Sequence, residues 1–144
     1  MIKFELVTLN GKKFDQMVHE VILPTPEGYI AVFENHAPLI SLSNPGVISI
    51  RHQAGDKDSR MEIFSTNGGV IEIVENENTV RLLADEADQA EEINEDEVKK
   101  ALEAAKKLKS EAKDRVSIDH AQSLIDREST RLKVAEIRRR HRKI

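Results

Sequence analysis

The chain has 144 residues, a formal net charge of -4, 33% charged residues and 3% aromatics. That is enough for one domain or two small ones, with a core of Ile, Val and Leu and much solvated surface. The absence of cysteine excludes disulfide scaffolds and thiolate metal sites, and no apolar run approaches the roughly 20 residues a membrane-spanning helix needs.

Up to about Ala84 the apolar residues recur with period two, as half-buried strands require. The run IKFELVT sets Ile2, Phe4 and Leu6 against Lys3, Glu5 and Val7. MVHEVIL, YIAVF, VISIRH, RMEIFS, GVIEIV and NTVRLLA continue the series. Turn residues punctuate it. Asn10-Gly11 is expected to close a tight hairpin. Residues 24–28, PTPEG, are expected to form a turn with φ preset at the prolines. Asn44-Pro45-Gly46 fits a type II turn, with glycine at the position needing positive φ. Gly68-Gly69 and residues 75–78 are further breaks. Short strands at this spacing indicate an all-β sandwich or barrel.

Beyond Ala84 there is neither proline nor glycine, and helix formers dominate. Val98, Leu102, Ala105, Leu108 and Ala112 share one helical face. Ala121, Leu124, Ile125, Leu132 and Ala135 share another. Asn94 with Glu97 has the spacing of a capping box. Asp114 or Ser117 is expected to start the second helix. The predicted fold is therefore α+β with two domains. Residues 1–86 form an all-β sandwich or barrel, and residues 87–144 an antiparallel two-helix hairpin. The hairpin buries too little apolar surface to stand alone, so it should pack on the sandwich or on a partner.

Residues 85–97 carry eight acids and no base, whereas residues 131–144 carry seven Lys or Arg and one acid. Acids at a helix start and bases at a helix end complement the helix dipole. The same basic end could also seek an acidic partner surface.

No phosphate-loop, dinucleotide-binding, HExxH or nucleophile-elbow pattern occurs. The histidines at 19, 36, 52, 120 and 141 lack ligand spacing. In a strand, His19 and Glu20 point to opposite faces and do not converge. No catalytic residue and no metal site are expected. The basic end lacks interleaved aromatics for nucleic-acid stacking. A soluble β-sandwich adaptor with a nucleic-acid-binding helical tail is the rival reading; no nucleic-acid partner is expected under the leading one.

The order VILPTPEGYIAVFENHAPLISLSNPGVISI, with Leu23, Pro24, Thr25, Gly28, Ile30, His36, Ala37, Pro38, Leu39, Pro45 and Gly46 at the marked positions, closely resembles the epsilon subunit of rotary ATP synthases. The likeness continues through Gly68, Gly69, Val70, Ile71, Glu72 and Ile73, through Asn78, Val80, Leu82, Leu83, Ala84 and Asp85, and through Ala87, Glu91 and Ile93. The stretch from Ile118 to Arg140 is similar to the family's second helix. The resemblance implies a non-catalytic central-stalk subunit of a proton-driven ATP synthase. Its sandwich docks on the gamma subunit and on the polar loops of the c-ring. Its helices lie on the sandwich or extend toward the catalytic alpha and beta subunits, where they restrain hydrolysis. Carried onto this chain, the docking residues are Gly28, Tyr29, Ile30, Asn35, His36, Ala37, Pro38 and Leu39, within a surface spanning residues 28–42. The inhibitory-arm contacts are Arg127, Arg131, Lys133, Arg138, Arg139 and Arg140, with Arg142 and Lys143 beyond them.

Some members bind ATP through an I/L-D-x-x-R-A motif. Here Asn94, Glu97 and Val98 replace its Asp, Arg and Ala. Glu97 would repel a phosphate, so no nucleotide or other cofactor is expected, although Arg115, Arg127 and Arg131 remain as phosphate-contact candidates. The run MIKFELVTLNGKK lacks the basic start and long apolar stretch of a signal peptide, and no transit peptide is expected. The expected location is peripheral, at the cytoplasmic face of a bacterial cell membrane, touching the membrane only through the complex.

Overall fold

The computed structural model describes residues 1–142. Alternation and turn chemistry lay down ten strands: β1 (Ile2–Thr8), β2 (Gly11–Val18), β3 (Glu20–Thr25), β4 (Gly28–Val32), β5 (Leu39–Ser43), β6 (Gly46–Arg51), β7 (Glu62–Thr66), β8 (Gly69–Val74), β9 (Thr79–Ala84) and β10 (Ala87–Gln89). Two helices follow, α1 (Glu95–Glu111) and α2 (Arg115–Arg142). The strands make two five-stranded sheets, ordered β2-β1-β9-β8-β5 and β10-β7-β6-β3-β4. All pairings are antiparallel except β1 with β9. The sheets stack face to face over a core that includes Phe4, Leu6, Leu23, Ile48, Ile50, Ile71 and Leu82.

A second apolar cluster joins the hairpin to the sandwich. Val47 and Ile63 on the outer face of the second sheet meet Ala90, Ile93, Val98, Val134 and Ala135. The small apolar faces of the helices thus bury themselves on the sandwich, as their marginal size requires. Asn94 caps α1 by accepting the Glu97 N–H at 3.1 Å. Asp114, not Ser117, caps α2: its carboxylate accepts the Ser117 N–H at 2.8 Å and the Ser117 hydroxyl at 3.0 Å. Leu108 is exposed, and Ala112 only partly covered, because the hairpin tip overhangs the sheet.

Several local readings change. MVHEVIL is not one strand: β2 ends at Val18, His19 sits in a bend, and β3 begins at Glu20. The corner carries the chain from the first sheet to the second. Pro24 and Thr25 belong to β3 rather than to a turn, leaving Pro26-Glu27 as the turn. Pro24 is tolerated there because β6 pairs with β3 only over Glu20 to Ile22, so its missing N–H leaves no ladder partner unmet. Gly46 does not adopt positive φ, so the type II turn does not form. Ala87–Gln89 pairs with β7, so the second sheet continues past the 86/87 boundary into what composition marks as helical. Three residues are too few for alternation to reveal a strand.

Candidate functional site

The segment from β4 to β5 closes one edge of the sandwich. Gly28, Tyr29, Asn35, His36, Ala37 and Pro38 are exposed there. Ile30 and Leu39 are not: both pack against the main core, anchoring the ends of the loop. Asn35 turns the chain at φ 64, a conformation that Asn tolerates better than most residues. His36 is exposed, with Nδ1 2.7 Å from the Ala37 carbonyl oxygen. No acid or nucleophile is within hydrogen-bond reach of its ring, and no group of three or more metal-ligating side chains occurs among the described residues. Tyr29 presents its ring to solvent while its hydroxyl accepts the Val47 N–H at 3.1 Å. An aromatic held in this way loses little freedom on binding.

Pairing register extends this edge into a face. Leu42 lies opposite Val70, Val70 opposite Leu83, and Leu83 opposite Val7. The row crosses four strands on the outer side of the first sheet. Ile40 beside it is 79% exposed and Leu42 65%, with Val70 and Leu83 also open to solvent. A charged row adjoins it: Arg81 binds Glu5 at 2.8 Å and Glu72 at 3.7 Å. The hydrogen bond from Arg81 holds the Glu5 carboxyl below its usual range. A contiguous apolar strip with a polar border is the composition of a protein-binding surface. Sequence reasoning stopped at residue 42 and missed Val70, Leu83 and Val7. The available signal was that GVIEIV and NTVRLLA carry apolar residues at outward as well as inward positions.

The helices occupy the opposite side. Arg127 grips Glu86, its Nε donating to Oε2 at 2.9 Å and its Nη2 to Oε1, and it also contacts Glu128. This pairing raises the Arg127 pKa and lowers that of Glu86. Arg131 lies 3.7 Å from Asp88, and Arg139 3.0 Å from Glu95. Arg138 donates to the Ala90 carbonyl at 2.7 Å. Lys133 and Arg140 are exposed and make no ion pair among the described residues. Part of the basic face of α2 thus pairs with acidic residues before and at the start of α1. Lys143 lies outside the described residues. Of the phosphate-contact candidates, Arg127 and Arg131 already hold carboxylates, and Arg115 is exposed beside Asp119. Asn94 and Val98 have structural tasks, as cap and as interface side chain; Glu97 is exposed.

Residues 1–90 match the family model for the β-sandwich domain of the ATP synthase delta/epsilon chain. An ATP synthase epsilon chain from Rhizobium etli is 36% identical over 121 residues, covering 84% of this chain and 83% of its own. One from Syntrophobacter fumaroxidans is 34% identical, covering 94% and 96%. A chain of the Euglena gracilis mitochondrial ATP synthase OSCP/F1/c-ring structure superposes with a TM-score of 0.77 at 20% identity, over 94% of this chain and 81% of that one, a likeness of fold. With the family model spanning more than half of the sequence and relatives alike over most of their length, the chain belongs to the ATP synthase epsilon-chain family, whose members are non-catalytic subunits.

Proposed function

We propose that this chain is a central-stalk subunit of a proton-driven ATP synthase. In this reading its sandwich joins the gamma subunit to the polar loops of the c-ring, and its C-terminal helices restrain ATP hydrolysis. The observation that carries it is the division of the sandwich into two sides. The outer face of the second sheet is covered by the chain's own helices, while the apolar strip of Ile40, Leu42, Val70 and Leu83 stays open. One side suits permanent docking and the other holds a movable arm. The rotor assignment has further support in a Tetrahymena thermophila mitochondrial central stalk/c-ring structure, one chain of which superposes with a TM-score of 0.58 at 15% identity, over 92% of this chain and 95% of that one.

The strip would meet gamma, and the Asn35–Pro38 loop the c-ring loops. Once extended, Arg131, Lys133, Arg138, Arg139 and Arg140 would face acidic surfaces of the catalytic alpha and beta subunits. The bacterial relatives support placing the protein at the cytoplasmic face of the cell membrane, held there through the complex. Among the described residues no helix is long and apolar enough to cross a membrane. Nucleotide binding is not part of the proposal, because Arg127 and Arg131 are already paired to carboxylates. The nucleic-acid adaptor reading finds no support: family membership points elsewhere, and most of the arginines it needs are engaged internally.

The test is ATP hydrolysis by the matching catalytic complex with added chain. Leu42→Asp combined with Val70→Asp should leave the fold intact and abolish binding to the complex. Gln at Arg138, Arg139 and Arg140 together should preserve binding and relieve the suppression of hydrolysis. Undiminished binding by the first variant rules out the docking face, and undiminished suppression by the second rules out the arm.

A further inference from the structure

The end of α2 lies beside the start of β7 and the short helical turn Asp58–Arg60 that precedes it, and the three enclose a cavity of about 190 Å³. Arg138, His141 and Arg142 line it from the helix and Ser59 from the turn, while Met61 and Ile63 supply apolar wall. Residues three and four apart share one face of a helix, so the spacing along α2 is what turns these basic side chains to the same side.

Three observations separate this cavity from the rest of the basic surface. First, its cations lack counter-charges. Arg127, Arg131 and Arg139 each hold a carboxylate, but none lies within ion-pair distance of Arg138 or Arg142 among the described residues. Asp58, next to Ser59, is already held by Arg51 at 2.7 Å. Glu91 is the one acid in the lining, and it is exposed. Two guanidiniums outweigh that acid together with the partial negative charge of the helix end. Second, Arg138 is fixed in place. Its Nη1 donates to the Ala90 carbonyl at 2.7 Å, and its Nε is buried without a partner. A half-buried guanidinium balanced only by a carbonyl dipole favours a neighbouring anion. Third, the volume is small. It falls below the roughly 300 Å³ at which sites for drug-sized ligands begin, so it suits a compact ion and leaves no room for a whole nucleotide.

We propose that this cavity binds a tetrahedral oxyanion of the phosphate class. The guanidiniums of Arg138 and Arg142 and the hydroxyl of Ser59 donate to its oxygens, and His141 closes one side. Guanidinium forks match several phosphate oxygens at once, which a single carboxylate cannot offer. The inference is independent of the rotor assignment, and the full chain alone is enough to test it.

The test is a titration of the full-length chain with inorganic phosphate, followed by amide and arginine Nε–H resonances, with chloride keeping the ionic strength constant. Phosphate should shift Ser59, Arg138 and Arg142 along one saturable, single-site curve. Arg142→Gln should weaken binding on the order of tenfold, and Ser59→Ala about threefold. Both side chains lie at the surface, and unchanged resonances in the sandwich core would show that the fold is kept. Arg115→Gln, at the far end of α2, should bind phosphate like the parent. Shifts that never saturate, or that affect Lys133 and Arg140 equally, overturn the site, because they would mean only screening of the basic surface. Acetate binding as tightly as phosphate overturns the ligand class. ADP and ATP separate the sources of the phosphate group. The small volume requires that neither bind more tightly than the free ion, and ATP shifting Ser59 and Arg142 at tenfold lower concentration than phosphate would overturn the assignment to inorganic phosphate.

Discussion

Gly46 shows how one position can be misread for a good local reason. Beside Pro45 it has the pattern of a type II turn, yet its φ is not positive. Glycine is required there by neighbours: a Cβ would lie 2.8 Å from both Pro24 Cβ and the Tyr29 hydroxyl. Gly46→Ala should therefore displace Tyr29, break its hydrogen bond to Val47 and destabilise the sandwich by about 1–3 kcal/mol. Denaturant unfolding measures the loss, and Tyr29 fluorescence reports the displacement. Gly69 is tighter still, with a Cβ falling 2.0 Å from the Leu83 carbonyl oxygen. That oxygen is backbone in a paired strand and cannot yield, so Gly69→Ala should cost more than Gly46→Ala.

Between the strands and the helices, caps decide where structure begins. Asn94 satisfies one of the free N–H groups of α1, and Asn94→Ala should lower stability by about 1 kcal/mol, read as a shifted unfolding midpoint at constant slope. Asp114 does the same for α2, and the Ser117 N–H holds its carboxyl below the usual range. A depressed folded pKa means that the cap contributes above the unfolded value and is lost as pH falls through the folded one. The Ser117 amide should therefore lose protection only once the pH has fallen below the ordinary aspartate range, while amides in the middle of α2 keep theirs. The Asn94 cap was legible in the sequence because a cap and its target lie three residues apart, while for α2 the sequence left Asp114 and Ser117 as alternatives. The short strand β10 was not: its partner Ser65 lies more than twenty residues from Asp88, and only sheet pairing joins them.

The two sides of the sandwich give the protein two grades of cohesion. The core between the sheets holds the large apolar side chains, whereas the helix–sandwich cluster is built mainly of Val, Ala and Ile. Undocking of the arm should precede melting of the sandwich on heating, with added salt lowering the first transition and hardly moving the second. Acid should act in the same order. Arg127 beside Glu86 depresses that carboxyl, so its contribution to docking is complete above the ordinary carboxylate range and lost as pH falls through the lower folded value. Helix undocking near neutral pH that is indifferent to both salt and acid would contradict this account.

Much of this architecture was legible along the chain. Period two marked most of the strands, period 3.6 the helices, and the loss of Gly and Pro after Ala84 the change between them, because each depends on residues a few positions apart. The charge asymmetry between residues 85–97 and 131–144 was equally plain in the sequence. Its meaning was not. Folding decided that Arg127 takes Glu86, forty-one positions away, that Leu42 joins Val70 and Leu83 in one strip, and that Ile30 and Leu39 turn inward while their neighbours face solvent. Each of these outcomes depends on which strands become neighbours and which face a helix covers, and such long-range choices are made by pairing and packing rather than by local pattern.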